Sequence, residues 1–142
     1  MKKWMVCCLA ALLFTGCSND TITQDRNALP ENAQALLAEH FEGTLDWVKV
    51  DKELLRKDTY EVRFTEGTEI DFDRDGNWKE ISGKGGVPVA LVPLFASDYV
   101  QQHYPEQKIV SIERNNSIFE IELTNDLSLR FDKQGRMIQI DD

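Results

Sequence analysis

The chain has 142 residues, 42% of them hydrophobic and 29% charged, proportions that exclude both a disordered polymer and a polytopic membrane protein. Sixteen Lys and Arg against twenty-five Asp and Glu give a net charge of −9. A surface this acidic repels phosphate backbones, so nucleic acid is not an expected partner.

Met1-Lys2-Lys3 followed by an apolar run from Trp4 to Phe14 has the form of a secretory signal, and the run is too short to span a bilayer as a stable helix. The tetrad Phe14-Thr15-Gly16-Cys17 resembles a bacterial lipobox, with Phe where Leu is usual. Residues 1–16 are therefore read as a lipoprotein signal peptide and Cys17 as the lipidated first residue of the mature chain. Losing Lys2 and Lys3 leaves fourteen cationic residues against twenty-five acidic ones, a net −11. Cys7 and Cys8 leave with the leader, so no disulfide forms within the mature domain and its hydrophobic core must hold it together. Acyl chains on Cys17 would tether it to a membrane. Ser18, rather than Asp, resembles lipoproteins sent to the outer membrane, on its periplasmic side or the cell surface. Residues 17–28 are polar and aperiodic, and are predicted to be a flexible tether.

Pro30 suits the first position of a helix that carries Ala33, Leu36, Leu37, His40 and Phe41 on one face. Period-two alternation then predicts strands around Val48 and Val50, around Tyr60, Val62 and Phe64, around Ile70 and Phe72, and from Asn77 to Ser82. Ser82-Gly83-Lys84-Gly85-Gly86 is a joint, and Pro88 begins a short helical turn. Pro93 opens a second helix with Phe95, Tyr99 and Val100, ending before Pro105. Turn signals stand at Glu66-Gly67, Asp75-Gly76, Asn115-Asn116, Asn125-Asp126 and Gln134-Gly135.

These elements recur. Leu29-Pro30 and His40-Phe41 reappear as Val92-Pro93 and His103-Tyr104 at a shift of 63. Val48 and Val50 match Val110 and Ile112 at 62. Ile70, Phe72, Asp73, Gly76 and Ile81 match Leu129, Phe131, Asp132, Gly135 and Ile140 at 59, which places a longer connection near residues 51–58 of the first copy. The prediction is an α+β fold made of a tandem repeat of two αβ₄ units, residues 29–86 and 87–142, with antiparallel sheets and helices packed on one face.

The leader, the helices ending in His-Phe and His-Tyr-Pro, and the segments from Phe72 to Ile81 and from Phe131 to Ile138 resemble the PepSY-like, β-lactamase-inhibitor-like lipoproteins of Bacteroidetes, over about residues 28–142. The resemblance implies two αβ₄ units whose sheets lie side by side under a helical layer, with the other face open. Its inhibitor name refers to structural likeness and transfers no activity.

Alternation turns Glu61, Arg63, Glu69, Asp71 and Asp73 to the open face. Trp47, Lys49, Trp78 and Met137 are expected there too, unless a bulge or rim makes the large side chains peripheral core. With Arg63 and Arg130 they form the expected surface for a protein or peptide partner: aromatic and thioether groups for contact, cations for partner carboxylates. In its strongest form this surface regulates or inhibits an envelope hydrolase.

Asp71, Asp73 and Asp75, followed by Gly76, reproduce the opening of a calcium loop, but the bidentate Glu of its last position is replaced by Ser82. A hairpin turn is the better reading, and calcium or small-ligand binding there is the alternative function. His40 and His103 suit helix C-termini. The glycine-rich joint lacks phosphate-loop spacing, and no nucleophile motif occurs. The expectation is a non-enzymatic protein without a cofactor.

Overall fold

The computed structural model describes residues 20–52 and 59–142. Among these residues nine strands form one antiparallel sheet in which spatial order follows chain order: β1 (Thr21–Thr23), β2 (Leu45–Asp51), β3 (Thr59–Phe64), β4 (Glu69–Phe72), β5 (Trp78–Ser82), β6 (Ile109–Arg114), β7 (Ile118–Leu123), β8 (Ser128–Asp132) and β9 (Met137–Asp141). Helix α1 (Glu31–His40) precedes β2, and α2 (Leu94–His103) precedes β6. Each follows a single 3₁₀ turn, Arg26–Ala28 or Val89–Leu91. Pro30 and Pro93 serve as N-caps, one position earlier than predicted, because their fixed φ leads into the helix while their carbonyls accept its first bonds. Among the described residues no helix is long and apolar enough to cross a membrane.

Residues 17–28 were predicted to be a flexible tether, but part of that segment is ordered. Thr21–Thr23 pairs with Val48–Val50, and Asp25 accepts a hydrogen bond from the Asn27 amide at 2.9 Å to cap the first 3₁₀ turn. Three residues and an Asx cap leave no hydrophobic period in the sequence, yet they satisfy the edge of β2. The leader, Cys17 and most of the predicted longer connection lie outside the described residues.

One face of the sheet holds the core. Val62, Phe64, Ile70, Phe72, Ile81, Ile112, Ile121, Leu123, Leu129 and Phe131 are buried, together with Ala33 and Leu37 of α1 and Ala96 and Val100 of α2. Phe41 stacks on Phe64 at 5.7 Å, while Phe95 and Tyr99 close on Phe131 at 5.5 and 5.6 Å. Small residues on the inner turn of each helix permit this approach.

Register also corrects one correspondence. Val48 lies opposite Val62 as Ile112 lies opposite Ile121, so Val48 matches Ile112, not Val110. Val110 is the extra residue of a bulge between Ile109 and Ser111, as Asp46 is between Leu45 and Trp47. Turn hydrogen bonds run in parallel: the Asp73 amide donates to the Asn77 carbonyl and the Asp132 amide to the Arg136 carbonyl, each at 2.9 Å. Gly76 (φ +81) and Gly135 (φ +80) occupy the left-handed position of these turns, and a Cβ on either would meet Pro30 or Phe95 at under 3.0 Å.

Candidate functional site

Two bulges decide where the candidate aromatic and thioether groups point. Ile70 pairs with Ile81, but Phe72 pairs with Trp78, so Lys79 is the extra residue and Trp78 turns to the core face. Trp78 is 6% exposed, and the Arg114 guanidinium covers its ring at 3.8 Å while Arg114 Nε donates to the Trp78 carbonyl at 2.8 Å. Burial holds the Arg114 pKa below its ordinary value. Met137 repeats the pattern: Leu129 pairs with Ile140 and Phe131 with Met137, so Ile138 is extra and Met137 packs against the core. Both residues are thereby removed from the expected partner surface. Trp47, paired with Arg63, remains on the open face, half-buried at its rim.

The expected cations are on that face, but each already has a carboxylate. Lys49 Nζ lies 3.1 Å from Asp51 and 3.8 Å from Asp20, Arg63 Nη1 lies 2.6 Å from Glu69, and Arg130 Nη2 lies 2.8 Å from Glu120. The hydrogen bond from Lys49 to Asp51 raises the Lys49 pKa, and that from Arg130 to Glu120 raises the Arg130 pKa. These groups are not free to seek a partner's carboxylates.

What the face does present is a row of acids. Glu61 pairs with Asp71, Asp71 with Glu80, Glu80 with Glu113, and Glu113 with Glu120, five carboxylates directly opposite one another across β3 to β7. Lys49 bounds the row at Glu61 and Arg130 bounds it at Glu120. At a strand spacing of roughly 4.8 Å the acids extend over about 19 Å. Like charges directly opposite destabilise a sheet, and while Arg130 pairs with Glu120 at one end, among the described residues no cation pairs with the interior acids Asp71, Glu80 and Glu113. Burial first, then the neighbouring carboxylate, raises the pKa of Glu61 (beside Asp71), Asp71 (beside Glu80) and Glu80 (beside Glu113). Beside the row, the small pair Ser82 and Ser111 lies in a trough of ≈ 730 Å³ flanked by Arg63, Glu69, Glu80 and Glu122.

The Asp71-Asp73-Asp75 set does not converge. Asp71 belongs to the acidic row, whereas Asp73 Oδ1 accepts the amides of Asp75 and Asn77, each at 2.9 Å. Partial burial opposes it, but these bonds and the Asn77 side chain hold the Asp73 carboxyl below its ordinary value. Asp75 faces Arg74. Asp132 plays the part of Asp73 in the second hairpin, accepting the amides of Gln134 and Arg136. The motif is turn chemistry, and among the described residues no group of three or more His, Cys, Asp or Glu is arranged to hold a metal ion. His40 ends α1 near Glu39, and His103 ends α2 against Tyr99 at 4.3 Å.

The family described as “Putative beta-lactamase-inhibitor-like, PepSY-like” matches residues 58–139. Three solved structures are each 34% identical to the chain. One, described as a “putative calcium-regulated periplasmic protein” from Bacteroides thetaiotaomicron, superposes with a TM-score of 0.82 over 87% of this chain and 97% of its own. A “putative periplasmic protein” of the DUF2874 family from Bacteroides vulgatus gives 0.82 over 89% and 100%. Another from the same species, described as “of unknown function”, gives 0.80 over 87% and 99%. No curated protein matches the sequence.

Proposed function

The chain belongs to the PepSY-like family, and on that premise we propose that it is a non-enzymatic cell-envelope protein whose open sheet face binds a basic segment of a partner protein. The observation that carries this reading is the row Glu61, Asp71, Glu80, Glu113 and Glu120, whose repulsion a cationic partner relieves. The sign of the partner is thus opposite to the one expected from Lys49, Arg63 and Arg130, which are satisfied within the face. Trp47 supplies apolar contact at the rim, and the Ser82–Ser111 trough admits a side chain. Regulation of an envelope hydrolase is the form of this activity that the family description suggests.

Three finer points belong to the same proposal. The periplasmic descriptions of the similar structures support an envelope location, and the lipobox-like tetrad supports an outer-membrane anchor at Cys17. The parallel registers and turn bonds of residues 29–86 and 87–142 support descent from one duplicated αβ₄ unit. Charge reversal tests the main reading: protein captured from Bacteroides envelope extract by the wild type is expected to be basic and to be lost with Glu80→Lys/Glu113→Lys. Recovery of the same proteins by both baits contradicts it.

A second reading rests on the relative described as calcium-regulated. Here a divalent cation sits over Asp71 and Glu80 on the open face, not in the Asp71–Asp75 turn. Calorimetry with calcium chloride is then expected to give heat that Asp71→Asn/Glu80→Gln abolishes and Asp73→Ala leaves in place. Absence of heat from the wild type removes this reading.

A further inference from the structure

On the helix-covered side, α2, the joint before it and the start of β6 enclose a groove of ≈ 480 Å³, within the usual range for small-molecule sites. Val87, Val92, Val100, Tyr104 and Ile109 form its walls. It contains no Asp or Glu, although the chain has twenty-five of them and the open-face trough is lined by several. Its one charged residue is Lys108, an exposed cation that makes no ion pair among the described residues. Lys108 is fixed at its root: its amide donates to Thr124 Oγ1 at 3.2 Å, and the Thr124 amide donates to the Lys108 carbonyl at 3.0 Å.

The corresponding place beside α1 is built differently. There Gln34 Nε2 reaches across to the Leu29 carbonyl at 2.8 Å. Ser97 holds the equivalent position in α2, but its shorter side chain turns back onto the Leu94 carbonyl at 3.0 Å and leaves the space open. Arg26 and Glu31 around α1 are matched by Val89 and Leu94, each 79% exposed. Of these two, Val89 lines the groove, and an exposed apolar group at the mouth of a largely apolar groove marks a site that something apolar covers.

We propose that this groove binds an aliphatic carboxylate of the fatty-acid type, its chain along the valine wall and its carboxylate on the Lys108 ammonium. On so acidic a protein, a groove free of carboxylates and carrying one unpaired cation is complementary to an anion with an apolar tail. The site is on the opposite side of the sheet from the acidic row, and its occupancy does not depend on the open-face reading.

Amide spectra of the full chain titrated with decanoate, and separately with decyltrimethylammonium, test this. Decanoate is expected to give saturable shifts at Val89, Ser97, Tyr104 and Ile109. Lys108→Glu is expected to weaken binding at least about tenfold, since it removes one charge-assisted contact and sets a carboxylate against the ligand's own. Ser97→Gln, which restores the spanning side chain of the first unit, is expected to abolish binding with the melting temperature unchanged. The cationic amphiphile is expected not to perturb the groove. No saturable shift at these four residues, equal binding of both amphiphiles there, or unaltered binding by both variants overturns the proposal.

Discussion

The two faces of the sheet are made by the same strands and follow opposite rules. Along β3, Val62 and Phe64 disappear beneath α1, while Glu61 and Arg63, one residue away, look into solvent. The covered face collects aliphatic and aromatic groups; among the described residues no charged side chain is fully buried there, and the half-buried Arg114 lies over Trp78 at its margin. On the open face, carboxylates are set opposite carboxylates where alternating signs would be more stable. Stability therefore resides in the first, and the second carries a feature that stability does not explain. Substitutions on the two faces should separate accordingly.

The largest effects are expected on the covered face. Phe64→Ala or Phe131→Ala removes a fully buried ring and should cost about 3–5 kcal/mol in denaturant unfolding. Trp78→Ala should fall near that range and leave partner capture intact, whereas Trp47→Ala should cost about 1 kcal/mol or less and weaken capture. Equal losses for the two tryptophans would break the distinction between faces. Gly135→Ala places a Cβ against Phe95 at φ +80 and should cost about 1–3 kcal/mol. Asp73→Ala removes the carboxylate that accepts from two backbone amides and should cost about 1 kcal/mol.

Acid titration sharpens the contrast. Glu61, Asp71 and Glu80 have raised pKa values, so the folded chain takes up protons before the unfolded one does. Their penalty is complete above the folded values and is relieved as pH falls through them. Asp73 and Asp132 have lowered values, so their contribution is present above the ordinary carboxylate range and lost below it. Melting temperature should thus rise on mild acidification from neutral pH, then fall once the turn aspartates protonate. A monotonic fall would mean that the row carries no penalty. The smallest effect is Glu80→Gln, expected to stabilise by about 0.5 kcal/mol at neutral pH and to flatten the rise.

Of the positions that alternation and the repeat identified as inner, Val62, Phe64, Ile70, Phe72, Ile81, Leu129 and Phe131 are in the core, Tyr60 is half-buried, and Ile140, on the edge strand β9, is 45% exposed. Alternation failed at Trp78 and Met137 because a bulge inserts one residue without disturbing the pattern on either side. The conflict was nevertheless written in the chain. A turn closed by Asp73 and Asn77 sets Phe72 against Trp78, while the hydrophobic faces set Ile70 against Ile81, and the two registers differ by one residue. The second hairpin, closed by Asp132 and Arg136, contains the same mismatch. Glu61 and Asp71 could be assigned to the open face from sequence, but the full acidic row could not. It depends on β5 pairing with β6 through Glu80 and Glu113, two strands separated by α2, and no local pattern records that pairing.

Carboxyl carbon NMR of Asp71 and Glu80, titrated with acid in the absence and presence of a lysine decapeptide, measures the charge that the open face holds for a partner. Both carboxyls are expected to titrate above the ordinary range in the free protein and to shift downward when the peptide binds. Ordinary titration that the peptide leaves unmoved would contradict a basic partner on this face.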